Sequence, residues 1–502
     1  MSATEAPVVL TRVCSLWRSV ALTIPHIWAK IHIPIPGHPA SSSRYARHLP
    51  ESALAKRRRN FSKLMKLRCQ TVKEWLDRSG TCPLSISLSY PTNSVLSDPL
   101  ECDVDDELTD PLIQILLSFA SRWSDVHFWI PFSLYQKLES RLSNDVLPIL
   151  QNFAAKVCSR IGHPGGTANI IQAPNLQKLS LDSFEITYGN PTILPSITNQ
   201  LTHLFFHTSI SDHDFFNIIK FCHSLVDCQV KLQAPWPQSH FFPSPLLELN
   251  VEQVILPNLE VLKLYDVGGL SFVFRAIKTP SLKELHYKSI FRYSGYDHDC
   301  SLLVPAEPLF ALLQNTGTSF RTLTIEPSTL RLEDPLICLR MANTVSHLVI
   351  RDSRRTIRNT VDMEEDILIR DLGDFDINLL RVVNNPTSTP ETLHTEILLP
   401  SLDTLEVYGV QKLMDEEILD VLKSRIDASR RGEVSPLRWV KFQFWRQKQN
   451  DFRAEVLRYA ESAGIAMELE LEYPPDALTP YLGRLSPSFL LPVPSVFDEN
   501  DH

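Results

Sequence analysis

Glycine is scarce in this chain. There are 15 glycines among 502 residues, against 36 prolines. Proline fixes the backbone angle φ and stiffens connections, whereas phosphate-binding loops are built from flexible glycine-rich turns. The glycine-based signatures of nucleotide-binding loops and of hydrolase nucleophile turns do not occur, and neither does the His-Glu-x-x-His zinc signature. We therefore expect a protein that is not an enzyme and that binds no cofactor.

Cysteine pairs and long apolar runs are also missing. The nine cysteines are scattered and none forms a Cys-x-x-Cys pair, which argues against a disulfide framework. No apolar run approaches the roughly 18 residues that span a bilayer, and the N-terminus lacks the apolar core of a secretory signal. A net charge of −9 does not favour nucleic acid as a partner. We expect a soluble intracellular protein of the cytoplasm or nucleus, with no membrane partner.

Two clusters contain residue types that bind metals. One has the imidazole and thiol ligands that zinc prefers and consists of His203, His207, His213, Cys222, His223 and Cys228. The other is acidic and consists of Glu101, Asp103, Asp105, Asp106 and Glu107. The first has no closely spaced ligand pair, and the second lacks the glycine and the terminal glutamate of an EF-hand loop. We expect no metal at either. A loop entering a helix, capped by Thr109 or Asp110 with Pro111 in the first turn, explains the acidic cluster better.

A basic stretch lies between residues 44 and 73, where ten lysines and arginines face a single acid, Glu51. Its apolar residues recur at helical spacing and are Phe61, Met65, Val72, Trp75 and Leu76. Gly80 occupies the position just after the predicted C-terminus of this helix, where glycine is favoured. The run Lys56–Arg59 is compatible with a nuclear localisation signal or a nucleic-acid patch, but we favour a solvated helix face. Residues 36–80 are therefore predicted to form a linker and a basic helix.

From residue 81 onward one phrase recurs, Pro-x-Leu-x-x-Leu-x-Leu with conservative changes. Its first apolar anchors are Leu150, Leu176, Leu201, Leu225, Leu259, Leu282, Phe320, Val345, Leu402 and Leu437. The shortest steps between anchors are 23 to 26 residues, within the range of a leucine-rich repeat. Longer steps, such as 345 to 402, indicate either insertions or repeats too degenerate to see. The end of each phrase predicts a strand, and the segments between phrases predict helices, among them 212–221, 309–313 and 415–425.

This pattern predicts an α/β fold, a leucine-rich-repeat-like solenoid with parallel strands on one side and helices on the other. Each unit of such an array buries its apolar face against its neighbours. We assign the array to residues 81–472. A short helical motif over residues 1–35 precedes it, and a proline-rich acidic tail over residues 473–502 follows it.

The first 35 residues carry their own pattern. One stripe of a helix is predicted from Leu10, Val13, Cys14, Trp17 and Ala21. Pro25 then starts a second short helical piece. Because two tryptophans in so short a stretch are costly to leave in water, we expect Trp17 and Trp28 to bury against the following repeats or against a partner.

The segments Val13-Cys14-Ser15-Leu16-Trp17-Arg18-Ser19-Val20-Ala21 and Ile24-Pro25-His26-Ile27-Trp28 resemble the C-terminal half of the F-box in a group of fungal, basidiomycete-type F-box proteins. The stretch from Trp75 to Leu88 and the pair Arg122-Trp123 resemble later phrases of the same proteins, so the similarity covers most of residues 10–445. In that family the motif docks on a Skp-type adaptor of cullin–RING ubiquitin ligases, and the rest of the chain captures a substrate. The resemblance implies adaptor contacts by Leu10, Val13, Cys14, Trp17, Ile24 and Trp28.

The sequence also departs from this family. An F-box opens with a Leu-Pro-x-Glu-type helix upstream, and only nine residues precede Leu10 here. Either the F-box is truncated, or the motif is degenerate and binds no adaptor. The resemblance implies a substrate receptor of a Skp–cullin–F-box ubiquitin ligase that binds an unknown protein. One alternative is a stand-alone repeat scaffold in which Trp17 and Trp28 only cap the array. Another is an enzyme with convergent polar residues of shifted pKa on the concave face of the repeats.

Overall fold

The computed structural model of the chain describes residues 7–36, 50–90, 106–142, 147–158, 173–182, 199–233, 253–266, 273–289, 307–326, 330, 334–351, 376–382, 397–410 and 413–474. Residues 37–49 of the predicted linker, the acidic residues 101–105 and the residues of the predicted tail after 474 lie outside this part of the chain. Two compact units are present, Met1–Phe320 and Arg321–His502. Their boundary falls inside the array predicted for residues 81–472.

The first unit alternates helices with strands. Its described helices are α1 (Leu10–Val13), α2 (Ser15–Thr23), α3 (Glu51–Arg78), α4 (Asp106–Ser118), α5 (Phe132–Arg141), α6 (Asp212–Ile219), α7 (Val273–Ala276) and α8 (Glu307–Gln314), with 3-10 turns at Pro25–Trp28 and Ala120–Arg122. Its strands are β1 (Lys30–Pro34), β2 (Leu84–Ser89), β3 (Trp123–Pro131), β4 (Asn152–Cys158), β5 (Lys178–Asp182), β6 (His203–Ser211), β7 (Asp227–Gln233), β8 (Val254–Ile255), β9 (Val261–Asp266), β10 (Ile277–Lys278) and β11 (Glu284–Ser289).

The second unit has the same alternation. Its described helices are α9 (Asp334–Met341), α10 (Asp415–Arg430) and α11 (Arg453–Ser462), with a 3-10 turn at Ile377–Leu380. Its strands are β12 (Thr322–Ile325), β13 (His347–Arg351), β14 (Thr404–Val410), β15 (Trp439–Phe444) and β16 (Glu468–Glu472). None of the helices in the described part of the chain has a stretch apolar and long enough to cross a bilayer.

The fold is α/β, and within each unit the main strands pair in parallel in the order in which they occur along the chain. In the first unit these strands are β1 to β7, β9 and β11, while β8 and β10 form a separate parallel pair. In the second unit they are β12 to β16. Helices α5 and α6 pack against strands of the first unit, and α11 packs against β16. The predicted α/β class and parallel strands are therefore confirmed.

The apolar anchors explain where the strands begin. All ten predicted anchors are buried, with at most 3% of their surface exposed. A strand begins two residues after each of them, as at Lys178 after Leu176 and at Thr404 after Leu402. These first strand residues are also paired in register, so Lys178 aligns with His203 and His203 with Asp227. Each anchor turns the chain into the core, and the side chains of the following strand are then alternately buried and exposed.

The long step between the anchors Val345 and Leu402 is an insertion. Strand β13 pairs directly with β14, with His347 opposite Thr404, so no further strand separates them in the sheet. The described parts of this insertion are held by Arg425 of α10. Arg425 is 1% exposed, and its guanidinium donates to the backbone carbonyls of Leu380, Leu398 and Leu399. Burial lowers the pKa of Arg425 to about 10.

The predicted basic helix is confirmed as α3, and its buried residues are the predicted Phe61, Met65, Val72, Trp75 and Leu76. Gly80 follows it with a left-handed φ of 58°, a conformation that glycine adopts without strain. The predicted helix segments 212–221, 309–313 and 415–425 are present as α6, α8 and α10.

The predicted start of α4 is wrong. The helix begins at Asp106, about one turn earlier than expected, so Pro111 lies inside the helix rather than in its first turn. Asp110 is not a cap but forms an ion pair with Arg141 at 2.9 Å. Acidic residues are favoured at the positive end of a helix, which stabilises the additional turn before Pro111.

Candidate functional site

The N-terminal helices expose an unusual number of large apolar side chains. We define the N-terminal apolar surface as Val13, Leu16, Trp17, Val20 and Ile24, which are 40–69% exposed. Apart from the adjacent pair Leu16 and Trp17, they recur at intervals of three or four residues. Ala21 is the only buried residue of α2. Clusters of exposed apolar side chains of this kind mark interaction sites on soluble proteins. This surface is the main candidate site.

Cys14 sets the direction of α2. The sequence pattern predicted a single helical stripe from Leu10 to Ala21, but the helix is interrupted at Cys14, whose backbone is extended. The Cys14 sulfur accepts the backbone N–H of Trp17 at 3.5 Å and thereby caps α2. Arg18 Nε donates to the carbonyl of Thr11 at 2.7 Å and ties α2 to α1. The backbone N–H of Trp17, in the first turn of α2, is satisfied in this way, and this favours an interruption at Cys14 over one continuous helix.

The two tryptophans have opposite environments. Trp17 is 51% exposed, so it does not cap the core as one interpretation of the sequence predicted. Trp28 is 2% exposed, and its Nε1 donates to the carbonyl of Ala21 at 2.7 Å. Its ring meets Trp75 edge to face, and the guanidinium of Arg78 lies 4.9 Å from its centroid. Trp28, which the resemblance implied as an adaptor contact, is thus buried beneath α2.

The other residues of the implied contact set divide in the same way. Val13, Cys14, Trp17 and Ile24 are exposed, and Leu10 is half-buried. Four of the six implied residues therefore lie open at the surface. Sequence reasoning left Leu16 and Val20 out of the set, although their spacing from Trp17 and Ile24 was the available signal.

The turn that carries Trp28 contacts the residues that follow α3. Pro25 lies close to Gly80, where an added Cβ would be 3.5 Å from the proline ring. His26 Nδ1 lies 3.3 Å from the sulfur of Cys82. Arg122 donates to the hydroxyl of Ser79 and to the carbonyl of Cys82. These contacts connect the segment that follows α2 with the residues between α3 and β2.

A second candidate surface is the open face of the sheet, defined as the strand side chains that alternate with the buried ones. In the first unit one in-register row of it consists of Lys30, Ser85, Asp125, Asn152, Lys178, His203, Asp227, Val261 and Glu284. All of these are at least partly exposed. The row mixes both charges with hydrogen-bonding groups, which suits recognition of a polar protein segment.

Asp125 of this row is held by contacts with two neighbouring side chains. Ser85 donates to one of its carboxylate oxygens at 3.0 Å, and His127 Nε2 lies 3.0 Å from the other. Burial raises the pKa of Asp125, but the contacts with His127, Ser85 and Lys30 together outweigh burial and hold the pKa below its usual value. The first unit therefore presents a fixed anionic group on its open face.

The second unit has a comparable network around Glu406. His347 Nε2 lies 2.8 Å from one Glu406 oxygen, and the Tyr408 hydroxyl donates to the other. The guanidinium of Arg351 lies 4.9 Å from the centroid of the Tyr408 ring. Burial raises the pKa of Glu406, but its hydrogen bonds with His347 and Tyr408 lower the pKa by more, so the net pKa is below the usual value.

The residues of the possible zinc cluster serve other roles. Cys222 and Cys228 are buried, and desolvation raises the pKa of Cys222 to about 12 and that of Cys228 well above its usual range. His207 contacts Ser180 and Gln229 on the open face. Among the residues that the structure describes, no group of three or more metal-binding side chains comes together.

Comparison with known proteins adds no assignment. No model of a known protein family matches this chain, and no curated protein matches it. Function is therefore inferred from the residues and from the geometry of the two surfaces.

Proposed function

We propose that the chain is a non-catalytic substrate receptor of a Skp–cullin–F-box ubiquitin ligase. In this proposal the N-terminal apolar surface docks on a Skp-type adaptor, and the open face of the sheet captures a protein substrate. The family assignment to fungal F-box proteins rests on the two N-terminal segments and on the phrases at Trp75 and Arg122. It is part of the proposal.

The observation that carries the proposal is the exposure of Leu16, Trp17 and Val20 on a helix that is tied to the core by the hydrogen bond from Trp28 to Ala21. Burying a side chain of this size contributes about 1.5–3 kcal/mol, so leaving three in water is costly unless a partner covers them. Tryptophan at the centre of an apolar patch is also the residue most enriched among binding hot spots.

The second part of the proposal concerns the architecture. We interpret the parallel strands, the buried anchors and the intervening helices as a leucine-rich-repeat-like solenoid with long insertions. In such an array each strand adds one row of side chains to a continuous surface, and extended surfaces of this kind bind proteins. The mixed charges around Asp125 and Glu406 are what a polar protein segment would contact.

A second function is favoured by the burial of Trp28. The segment from Pro25 to Pro34 completes the core beside α3 and β2, which is what a cap on a repeat array has to do. In that case the chain is a stand-alone interaction scaffold, its F-box remnant has only a structural role, and no adaptor binds.

Co-elution with a purified Skp-type adaptor in size-exclusion chromatography tests the proposal. Deleting residues 1–35 is unsuitable because it also removes Trp28 and strand β1. We therefore choose Leu16→Asp, with Leu22→Asp as the matched control, because Leu22 is 45% exposed and lies on the opposite side of the same helix. The receptor proposal predicts that the adaptor co-elutes with the unchanged chain and with Leu22→Asp but not with Leu16→Asp. If the folded, unchanged chain does not co-elute, the scaffold interpretation replaces it.

A further inference from the structure

Helix α3 carries a row of positive charge along one face. We define the basic stripe as Lys56, Arg59, Lys63 and Lys66, which are spaced by three or four residues and are all exposed. At 1.5 Å per residue the stripe extends for about 15 Å along the helix. The buried residues Phe61 and Met65 lie on the opposite side. The stripe therefore points away from the core.

The charge of the stripe is not balanced locally. Residues 51–68 contain seven lysines and arginines and one acid, in a chain whose net charge is −9. The C-terminal half of the helix differs, since Lys73 pairs with Asp77 at 2.8 Å and Arg78 with Glu74 at 3.5 Å. No ion pair joins any of the four stripe residues to a carboxylate in the described part of the chain. The four stripe residues thus offer unpaired positive charge, whereas Lys73 and Arg78 near the C-terminus of α3 are paired.

Two leucines border the stripe. Leu64 is 41% exposed and Leu67 is 60% exposed, and both follow stripe residues on the same helix turns. Exposed leucines beside a row of positive charge provide apolar contacts for a partner that contains both acidic and apolar residues. Surface ion pairs alone contribute at most about 1 kcal/mol each, so these contacts are what would give such a partner specificity.

We infer that the basic stripe, together with Leu64 and Leu67, binds an acidic protein segment that contains leucine or phenylalanine. A nucleic-acid backbone fits less well, because it would run beyond the short stripe along a protein of net negative charge and would not use the leucines. An anionic membrane fits less well, because the apolar side of α3 is buried in the core and cannot insert. The inference does not depend on adaptor docking, since α3 is a different helix from α2.

The test is fluorescence anisotropy with the full chain and a short labelled peptide of repeating Glu-Glu-Leu units. Lys63→Glu and Lys66→Glu remove stripe charges, and Lys73→Glu is the matched control, because it makes the same charge change on the balanced half of the helix. Leu67→Ser removes an apolar contact. All four side chains are exposed, so the variants are expected to keep the fold, which circular dichroism checks. A Glu-Glu-Ser peptide, a duplex DNA and phosphatidylserine vesicles are the competing ligands.

We expect the Glu-Glu-Leu peptide to bind with a Kd on the order of 10–100 μM. Lys63→Glu and Lys66→Glu should each weaken peptide binding by about tenfold, and Lys73→Glu should weaken it by less than about twofold. Replacement of leucine by serine, in the peptide or at Leu67, should weaken binding as well. The inference is overturned by the absence of saturable binding, by equal loss with Lys73→Glu, or by DNA or vesicles that bind more tightly than the peptide and are insensitive to Leu67→Ser.

Discussion

The indole rings of Trp28 and Trp75 meet edge to face, with centroids 4.9 Å apart and planes at 77°. This contact joins the N-terminal segment to α3, and Trp28 also holds the end of α2 through its hydrogen bond to Ala21. One tryptophan therefore serves the core, while Trp17, eleven residues earlier, remains at the surface. The separation of the two roles is the basis of the first prediction.

Trp28→Ala should lower the free energy of unfolding by about 3–5 kcal/mol, because it removes a large buried side chain and leaves a cavity against Trp75. Trp17→Ala should change it by less than about 1 kcal/mol, because half of that side chain is already in water. Urea denaturation followed by circular dichroism measures both. Equal destabilisation by the two substitutions would show that Trp17 belongs to the core cap.

Gly317 is predicted to tolerate no side chain. A Cβ at this position would lie 1.9 Å from the backbone oxygen of Pro280, in a tight crossing beside the bridge between Thr279 and Thr316. Gly317→Ala should therefore lower the free energy of unfolding by about 3 kcal/mol, the upper part of the range for overpacking. Gly464→Ala is the control, since Gly464 has a left-handed φ but open space around it, and it should cost about 1 kcal/mol. Similar values for the two variants would contradict this packing.

Arg425 should be essential to the second unit. Arg425→Met leaves the buried carbonyls of Leu380, Leu398 and Leu399 without their donor, and each such loss costs about 1–3 kcal/mol. Removal of the buried charge offsets part of this, so we expect a net loss of about 3 kcal/mol, with no rescue by Arg425→Lys because lysine lacks the planar fork. Thermal denaturation measures the loss. The exposed Arg430 on the same helix is the control, and a drop as large for Arg430→Met would refute the argument.

The pKa of Glu406 predicts how the second unit responds to acid. Because its pKa is lower in the folded protein, the stability it contributes is complete above its ordinary pKa of 4.5 and is lost as the pH falls through the lowered value. Unfolding of the unchanged protein should thus become easier between about pH 5 and pH 3, and Glu406→Gln should make that dependence shallower. Denaturation midpoints over this range measure it. Glu468→Gln, an exposed site on β16, is the control, and identical pH profiles for Glu406→Gln and the unchanged protein would disprove the assignment.

Much of the sheet could be predicted because its signal is local. An apolar anchor followed by alternation specifies where a strand starts and which side chains it buries, as at Leu176 and Lys178. The helix α3 was equally visible, since Phe61, Met65 and Val72 share one face. The insertion between Val345 and Leu402 remained ambiguous, because pairing of β13 with β14 is a long-range contact that spacing does not specify.

The candidate site was less predictable. Periodicity places Trp17 on the same stripe as Ala21, but which face of α2 is covered depends on how Trp28 packs on α3. The break at Cys14 depends on a single cap contact to Trp17, and helix periodicity does not report it. The burial of Arg425 could not be predicted from the sequence either, because its three hydrogen-bond acceptors come from distant parts of the chain.

The measurement that tests the central claim most directly is amide hydrogen exchange of the full chain with and without a purified Skp-type adaptor. The amides of α2 belong to a short surface helix and should exchange quickly in the free protein. The receptor proposal predicts that a saturating concentration of adaptor slows exchange over Ser15–Thr23 and leaves Glu468–Glu472 unchanged. Unchanged exchange over Ser15–Thr23 at that concentration would contradict the claim that this surface docks the adaptor.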